Sequence, residues 1–234
     1  DSTICAISGT GYIWSDKVRN RIAGGEIAEA GFDNSLNFEK LVALKPDVVF
    51  LYGLTGKNAV TDKLHELGLK TVYIGDYVEN NPLGRAEWIT VFGEFTGRRE
   101  LARTLFDSIS NEYNRAKALV SGVEKRPEVM LNAPWQDSWF VPGDRSYMVR
   151  LLEDAGGNYA CRGVDSDQSR PISTETAFVA ASQSDFWLSP GTATSLAELN
   201  AMNPRFGSIP PVRNGNVYNN NARTTPEGGS DFWE

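Results

Sequence analysis

Apolar and polar positions along the chain follow two alternating rhythms. Residues 3–7, 47–52 and 71–74 are short apolar runs, the pattern of strands buried in a parallel sheet. Between them the apolar positions recur at helical spacing, which predicts helices near 15–21, 37–44 and 58–68. Asn37 is placed to cap the second of these, with Glu39 in its first turn and Pro46 closing the turn that follows. Such βα alternation predicts a parallel sheet with right-handed crossovers. From 82 to about 122 the strand rhythm stops. Trp88, Ile89, Phe92, Phe95, Leu101, Leu105, Ile109, Tyr113, Ala116 and Leu119 recur at helical spacing, and Pro82 suits a helix start. Gly93 and Gly97 bend this run or divide it. An unbroken helix of about 40 residues would reach roughly 60 Å, long enough to be a strut between two lobes.

After 122 the α/β rhythm returns. Strands are predicted at 127–131, 138–143 (with a turn), 185–189 and 215–218, and helices at 146–155, 174–182 and 196–202. Residues 37–50 and 175–188 state one phrase twice: a helix, an Ala four residues before an Asp, then an apolar strand. A repeated helix–turn–strand unit in each half implies two similar α/β lobes, and two lobes make a cleft for a ligand. The expected division is 1–81 for the first lobe, 82–122 for the linking helix and 123–234 for the second lobe.

Composition narrows the function. At 234 residues, 41% hydrophobic and 23% charged, the chain reads as a soluble globular protein of one large domain or two small ones. A net charge of -7 argues against a nucleic-acid partner. No apolar run approaches the roughly 20 residues of a membrane span. The sequence contains 1 histidine, His65, on an amphipathic helix that ends in Gly68, where it reads as a surface residue. A Ser-His-Asp or Cys-His device would depend on it alone, and Cys5 and Cys161 lie far from it in sequence. Both cysteines read as free thiols. There is no phosphate loop, and Gly9-Thr10-Gly11 lacks the third glycine of a dinucleotide site. An enzyme is therefore not expected. Tight sites for bare zinc or copper favour His and Cys ligands, which are scarce here, and no metal-ligand set is predicted. Carboxylate or tyrosinate sites for iron, manganese or calcium stay open.

Aromatic residues crowd into the predicted loops. Tyr12 and Trp14 follow the first strand, Tyr52 ends the second, Trp135 and Trp139 flank a loop of the second lobe, and Trp233 stands near the end. Loops at the carboxyl ends of parallel strands line the crevice of α/β sheets. Flat rings there can stack on a porphyrin, a corrin or catecholates, or else pack in the core. Trp187, inside a strand, reads as core. Arg145, Arg170 and Arg223 are candidates to hold a ligand's carboxylates with two-pronged bonds, or else are solvated surface arginines.

Several phrases together carry a family resemblance: the 39–50 segment, Leu67-Gly68-Leu69-Lys70-Thr71-Val72, the mid-chain helix, and Val141-Pro142-Gly143 ahead of Asp154-Ala155-Gly156-Gly157-Asn158-Tyr159. Their order and spacing resemble the periplasmic binding proteins of ABC importers for iron chelates, haem and cobalamin. The stretch from Glu79 to Trp88 resembles a Bacteroidetes-type branch. The resemblance implies two Rossmann-like lobes with parallel sheets joined by a long backbone helix. It implies a metal chelate as ligand, with a ferric siderophore first and haem or cobalamin as the alternative. For haem, Tyr12, Tyr52 or Tyr147 could ligate iron as phenolate. It implies an ABC permease as partner, a monomer, a periplasmic location, a lipid anchor through a removed N-terminal segment, no covalently bound cofactor, and closure by small angles on a stiff helix. It further implies a docking glutamate on each lobe. Glu234 matches the second-lobe position. The first-lobe position falls near Asn58, which is not acidic, so Glu79 is the substitute, unless it serves the dipole of the following helix. The chain opens mid-phrase at Ile4-Cys5-Ala6-Ile7 and stops at Phe232-Trp233-Glu234, as a chain trimmed at both termini would. A reading from another class is an α/β metal-cluster scaffold, which would need more cysteines than these 2.

Overall fold

The computed structural model describes residues 3–32, 35–53, 59–135 and 138–222. It divides into two compact units, one built from the residues up to Gly75 and the other from Asp76–Ala222.

In the first unit, strand Ala6–Ile7 pairs in parallel with Ala28–Glu29, and Val49–Tyr52 in parallel with Thr71–Ile74. A short antiparallel pair, Gly31–Phe32 with Ser35–Leu36, lies between them in sequence. Helices Asp16–Ala23, Phe38–Leu44 and Ala59–Glu66 connect the strands. Asn37 caps as expected: its Oδ1 accepts the Lys40 N–H at 2.9 Å. The core is small, built on Ala30, Leu41, Leu64 and Leu69. Val49, Phe50 and Leu51 are only half-buried and Tyr52 is exposed, so this strand is less covered than its unbroken apolar run predicts. His65 stays on the helix surface, with Nε2 2.7 Å from the Thr71 hydroxyl.

The second unit carries the main core. Four parallel strands run in the order Asn158–Tyr159, Glu128–Leu131, Phe186–Leu188, Val217–Tyr218. An antiparallel group, Arg170–Ser173, Ser138–Val141 and Pro134–Trp135, packs beside them. The repeated phrase is realised twice as helix then strand: Phe38–Leu44 with Val49–Tyr52, and Thr174–Ser182 with Phe186–Leu188. In the second copy the Ser173 Oγ accepts the Thr176 N–H at 3.1 Å. Asp185 then locks the strand start, exchanging backbone and side-chain bonds with Glu128.

The 82–122 run is two helices rather than one rod. Asn81 caps Pro82–Phe95, and Gly97, at φ 66, turns the chain into Arg99–Leu119. Only a residue without a Cβ takes that left-handed turn freely. The helices cross where Gly93 meets Ala102: a Cβ at 93 would stand 2.4 Å from that of Ala102. The 21-residue second helix is about 30 Å long, half the reach of an uninterrupted run.

Candidate functional site

Trp139, expected beside a ligand, lies instead at the centre of the second unit's core with 0% exposure. The pleat explains it. Ser138–Val141 alternates faces, so Trp139 and Val141 turn inward while Phe140 turns outward. Its ring lies 5.4 Å from Trp187 and edge-on to Phe178 and Phe206. The two indoles are also tied down. Trp139 donates to the Leu131 carbonyl at 3.3 Å and Trp187 to the Asn132 carbonyl at 2.6 Å.

The carboxyl ends of this unit's strands are held in an unusual backbone. Asn132 and Ser189 directly follow adjacent strands, and both sit in the left-handed region, at φ 62 and φ 56. Non-glycine residues at such angles store strain, which clusters where chains are shaped for binding. Two bonds fix them: the Asn132 N–H donates to Leu188 O at 3.1 Å and the Ser189 N–H to Tyr218 O at 2.9 Å. The side chains of Asn219 and Asn221 then strap the neighbouring loop by donating to the carbonyls of Gly191 and Ala193. In sequence these asparagines read only as a polar loop.

Arg145 is exposed and ion-paired with Asp165, which neutralises a cation expected to face a ligand. Arg170 is exposed on its strand opposite Val141. Tyr147 opens helix Tyr147–Asp154, and the Arg85 guanidinium lies 5.1 Å from the centre of its ring. Trp135 belongs to strand Pro134–Trp135, but its side chain, like Arg223, Trp233 and Glu234, lies outside the described residues. Glu79 is half-buried and accepts the Trp88 indole N–H at 3.1 Å. It stands beside the first turn of the Pro82–Phe95 helix, against Gly84.

A cavity of 320 Å³ opens at the amino ends of the strands, lined by Lys117, Arg126, Glu153, Asp154, Asn158 and Arg162 among others. Its charges satisfy one another. Lys117 pairs with Asp154 at 2.7 Å, Arg162 with Glu153 at 2.5 Å, and Arg126 donates to the Glu153 carbonyl. Burial raises the Asp154 carboxyl, and the bonds from Lys117 and Tyr113 more than offset it, so the group stays ionised.

The first unit exposes several aromatic side chains. Tyr12, Tyr52, Phe32 and Trp14 are 71%, 65%, 52% and 50% exposed. Tyr12 stacks on Phe32 with ring centres 5.8 Å apart. The sequence pattern does not single out Phe32; its signal is an aromatic next to Gly31, just after the strand Ala28–Glu29. Tyr12 lies in the Thr10–Tyr12 turn, which buries no side chain of its own. The turn is held from below by Glu29. Glu29 Oε1 accepts the N–H groups of Gly9 and Gly31 at 3.0 and 3.1 Å, while Oε2 accepts the Thr10 N–H at 2.9 Å and the Thr10 hydroxyl. The Thr10 hydroxyl, then the backbone donors, hold the Glu29 carboxyl below its ordinary 4.5.

The sequence pattern of the family described as periplasmic binding protein matches residues 2–224. The chain belongs to this family. A periplasmic binding protein binds rather than transforms its ligand, so the chain is not an enzyme. It is 28% identical over 214 residues to an uncharacterized lipoprotein of Methanocaldococcus jannaschii, which covers 90% of this chain and 51% of the relative. The chain spans about half to two thirds of the length of the curated relatives it matches. Among solved structures it is similar to the periplasmic haem-binding protein HutB of Vibrio cholerae. The TM-score is 0.69 at 15% identity, over 98% of this chain and 94% of that one. It is also similar to a possible iron-binding, periplasmic solute-binding protein of Staphylococcus epidermidis. There the TM-score is 0.67 at 19% identity, over 92% and 88% of the two chains. At these identities the likeness establishes the fold: α/β, with parallel sheets, of the helical-backbone type.

Proposed function

We propose that this periplasmic binding protein is the ligand-capturing component of an ABC importer for a metal chelate, with a ferric siderophore as the first candidate. The observation that carries the reading is the set of exposed aromatic side chains on loops and strand ends of the first unit, Tyr12, Phe32, Trp14 and Tyr52, with Tyr12 stacked on Phe32. Exposed rings in such number cost solvation unless a ligand covers them, and aromatic faces suit flat, conjugated chelators. A ferric siderophore already fills the coordination sphere of its iron, so it requires no ligand atom from the protein. That agrees with a chain whose 1 histidine is spent on Thr71.

The second reading is haem or cobalamin; within it, the exposed phenols of Tyr12 and Tyr52, which have the chemistry to ligate haem iron, favour haem. The likeness to HutB supports it. On either reading the partner is an ABC permease, with Glu79 and Glu234 as docking carboxylates. The protein works as a monomer outside the cytoplasmic membrane, held by a lipid anchor. The name of the methanogen lipoprotein supports the anchor. The test is titration of purified protein with ferric siderophores, haem and cyanocobalamin, following tryptophan fluorescence and absorbance. Saturable quenching by a ferric siderophore at micromolar affinity or tighter is expected. A haem Soret shift that Tyr12→Phe or Tyr52→Phe abolishes would favour the second reading instead. Saturable binding of none of the three would overturn the proposal.

A further inference from the structure

We infer that Glu29 is a positioning residue for ligand capture: its carboxylate pins the turn from Gly9 to Tyr12, and so holds the Tyr12 ring against Phe32 as a fixed stacking surface. This rests on the reading of the exposed aromatic side chains of the first unit as ligand-contacting.

Among the described residues the turn has little else to hold it. It follows a strand of 2 residues, Ala6–Ile7, and contributes no buried side chain. Its backbone bonds are local (Tyr12 N–H to Gly9 O, Ile13 N–H to Thr10 O), apart from the Gly9 N–H, which also reaches Gly31 O at 3.2 Å. Against that, Glu29 gathers four donors onto two oxygens from 19 and 20 residues away in sequence and from Gly31 just beyond it. Hydrogen bonds to an ionised acceptor are roughly twice as strong as neutral ones. The same carboxylate therefore ties together the backbone under both stacked rings, that of Tyr12 through Gly9 and Thr10 and that of Phe32 through Gly31. Gly9 completes the arrangement. A Cβ there would stand 3.0 Å from Phe32 Cδ2 and 3.4 Å from Tyr12 Cδ2, so the turn passes directly beside both rings. Glu29 is not among the residues of the first unit's core, whose cluster is apolar. A ring fixed before the ligand arrives has less freedom to lose on binding, which appears as affinity.

Glu29→Gln keeps the size but puts an NH2 where one oxygen stood, so two donors meet at Thr10 or Gly9. The experiment measures three quantities on wild type, E29Q, Y12A and the double variant. These are the Kd for the ferric-siderophore, haem or cyanocobalamin probe that wild type binds, amide hydrogen exchange over 9–12, and Tm. In E29Q, faster exchange over the turn, a nearly unchanged Tm and a Kd weaker by roughly three- to tenfold are expected. In the Y12A background the same substitution should change Kd less than twofold, because the Tyr12–Phe32 stack that it holds is gone. A wild type that binds a probe and an E29Q that binds it equally well would overturn the positioning role alone. An equal loss in both backgrounds would do the same, since Glu29 would then act without Tyr12. A wild type that binds no probe would overturn the functional reading, and the positioning role with it. Should E29Q fail to fold, Thr10→Val removes one donor and is expected to weaken Kd in the same direction by a smaller factor; an unchanged Kd there overturns the inference.

Discussion

Replacing Trp139 with alanine separates a core residue from a ligand wall. Trp139 is fully buried, contacts three other aromatic rings, and gives its indole N–H to Leu131 O. Truncating a buried tryptophan to alanine typically costs about 3–5 kcal/mol, since transfer energy and an unfilled cavity add. For domains of roughly 150–250 residues each kcal/mol moves Tm by about 2–4 °C, so W139A should melt roughly 6–20 °C below wild type. The surviving folded protein should bind whichever probe wild type binds with unchanged Kd, because no atom of Trp139 reaches the surface. The assay is a thermal melt followed by circular dichroism, paired with a fluorescence titration held well below the lowered Tm. A fall in Tm of less than about 2 °C, under 1 kcal/mol on the same scale, would refute the burial argument. So would a weaker Kd at unchanged Tm, the signature of a residue that lines the ligand.

Gly93→Ala sets two effects of opposite sign against each other. Alanine gains about 1 kcal/mol of helix propensity, but its Cβ would stand 2.4 Å from that of Ala102, and overpacking of this kind costs about 1–3 kcal/mol. A net loss in urea melts is expected, relieved in part by Ala102→Gly in the double variant; a stabilised G93A would mean that the helices do not cross there. The thiols should differ in reactivity. Cys161 is buried 3.4 Å from Met130 Sδ, and burial pushes its pKa from 9.0 up to about 11. Cys5 is half-buried. At pH 8 a thiol reagent should therefore label one site in native protein and both after unfolding; two fast native sites would contradict the packing. The same shift has a sign in stability. Between pH 9 and 11 the unfolded thiol ionises while the folded one does not, so stability falls as pH rises through that window. Cys161→Ala should flatten this part of the stability profile.

Local signals were the legible ones. Asn37 as a cap, Pro82 at a helix start and the apolar run of Thr71–Ile74 each announce an element through contacts within a few residues, and each is where the pattern puts it. The doubled phrase survives because a helix, a tight turn and a buried strand are all short-range features. What stayed hidden depends on partners far away in sequence. Arg170–Ser173 becomes a strand only through Ser138–Val141, about 30 residues earlier. Trp139 could not be told from a ligand-stacking tryptophan, because what buries it (Trp187, Phe178 and Phe206) comes from three other elements. Glu29 reads as an ordinary charge until the turn from Gly9 to Tyr12 folds over it.

The two units use their aromatic residues in opposite ways, and that changes how binding should be observed. In the second unit Trp139 and Trp187 form a sealed cluster whose indole N–H groups are both committed to backbone carbonyls. A ligand cannot reach these rings by contact, so their emission responds only to energy transfer over distance. In the first unit Trp14 is half exposed, beside the turn that carries Tyr12. A coloured chelate stacked there should quench Trp14 by contact and the sealed pair only partially. Trp14→Phe should therefore remove the contact component of the quench. What remains should be a smaller component that tracks the overlap of the chelate's absorbance with tryptophan emission. If Trp14→Phe leaves the quench unchanged, the chelate sits away from Trp14, and the exposure of that ring requires another explanation than a ligand.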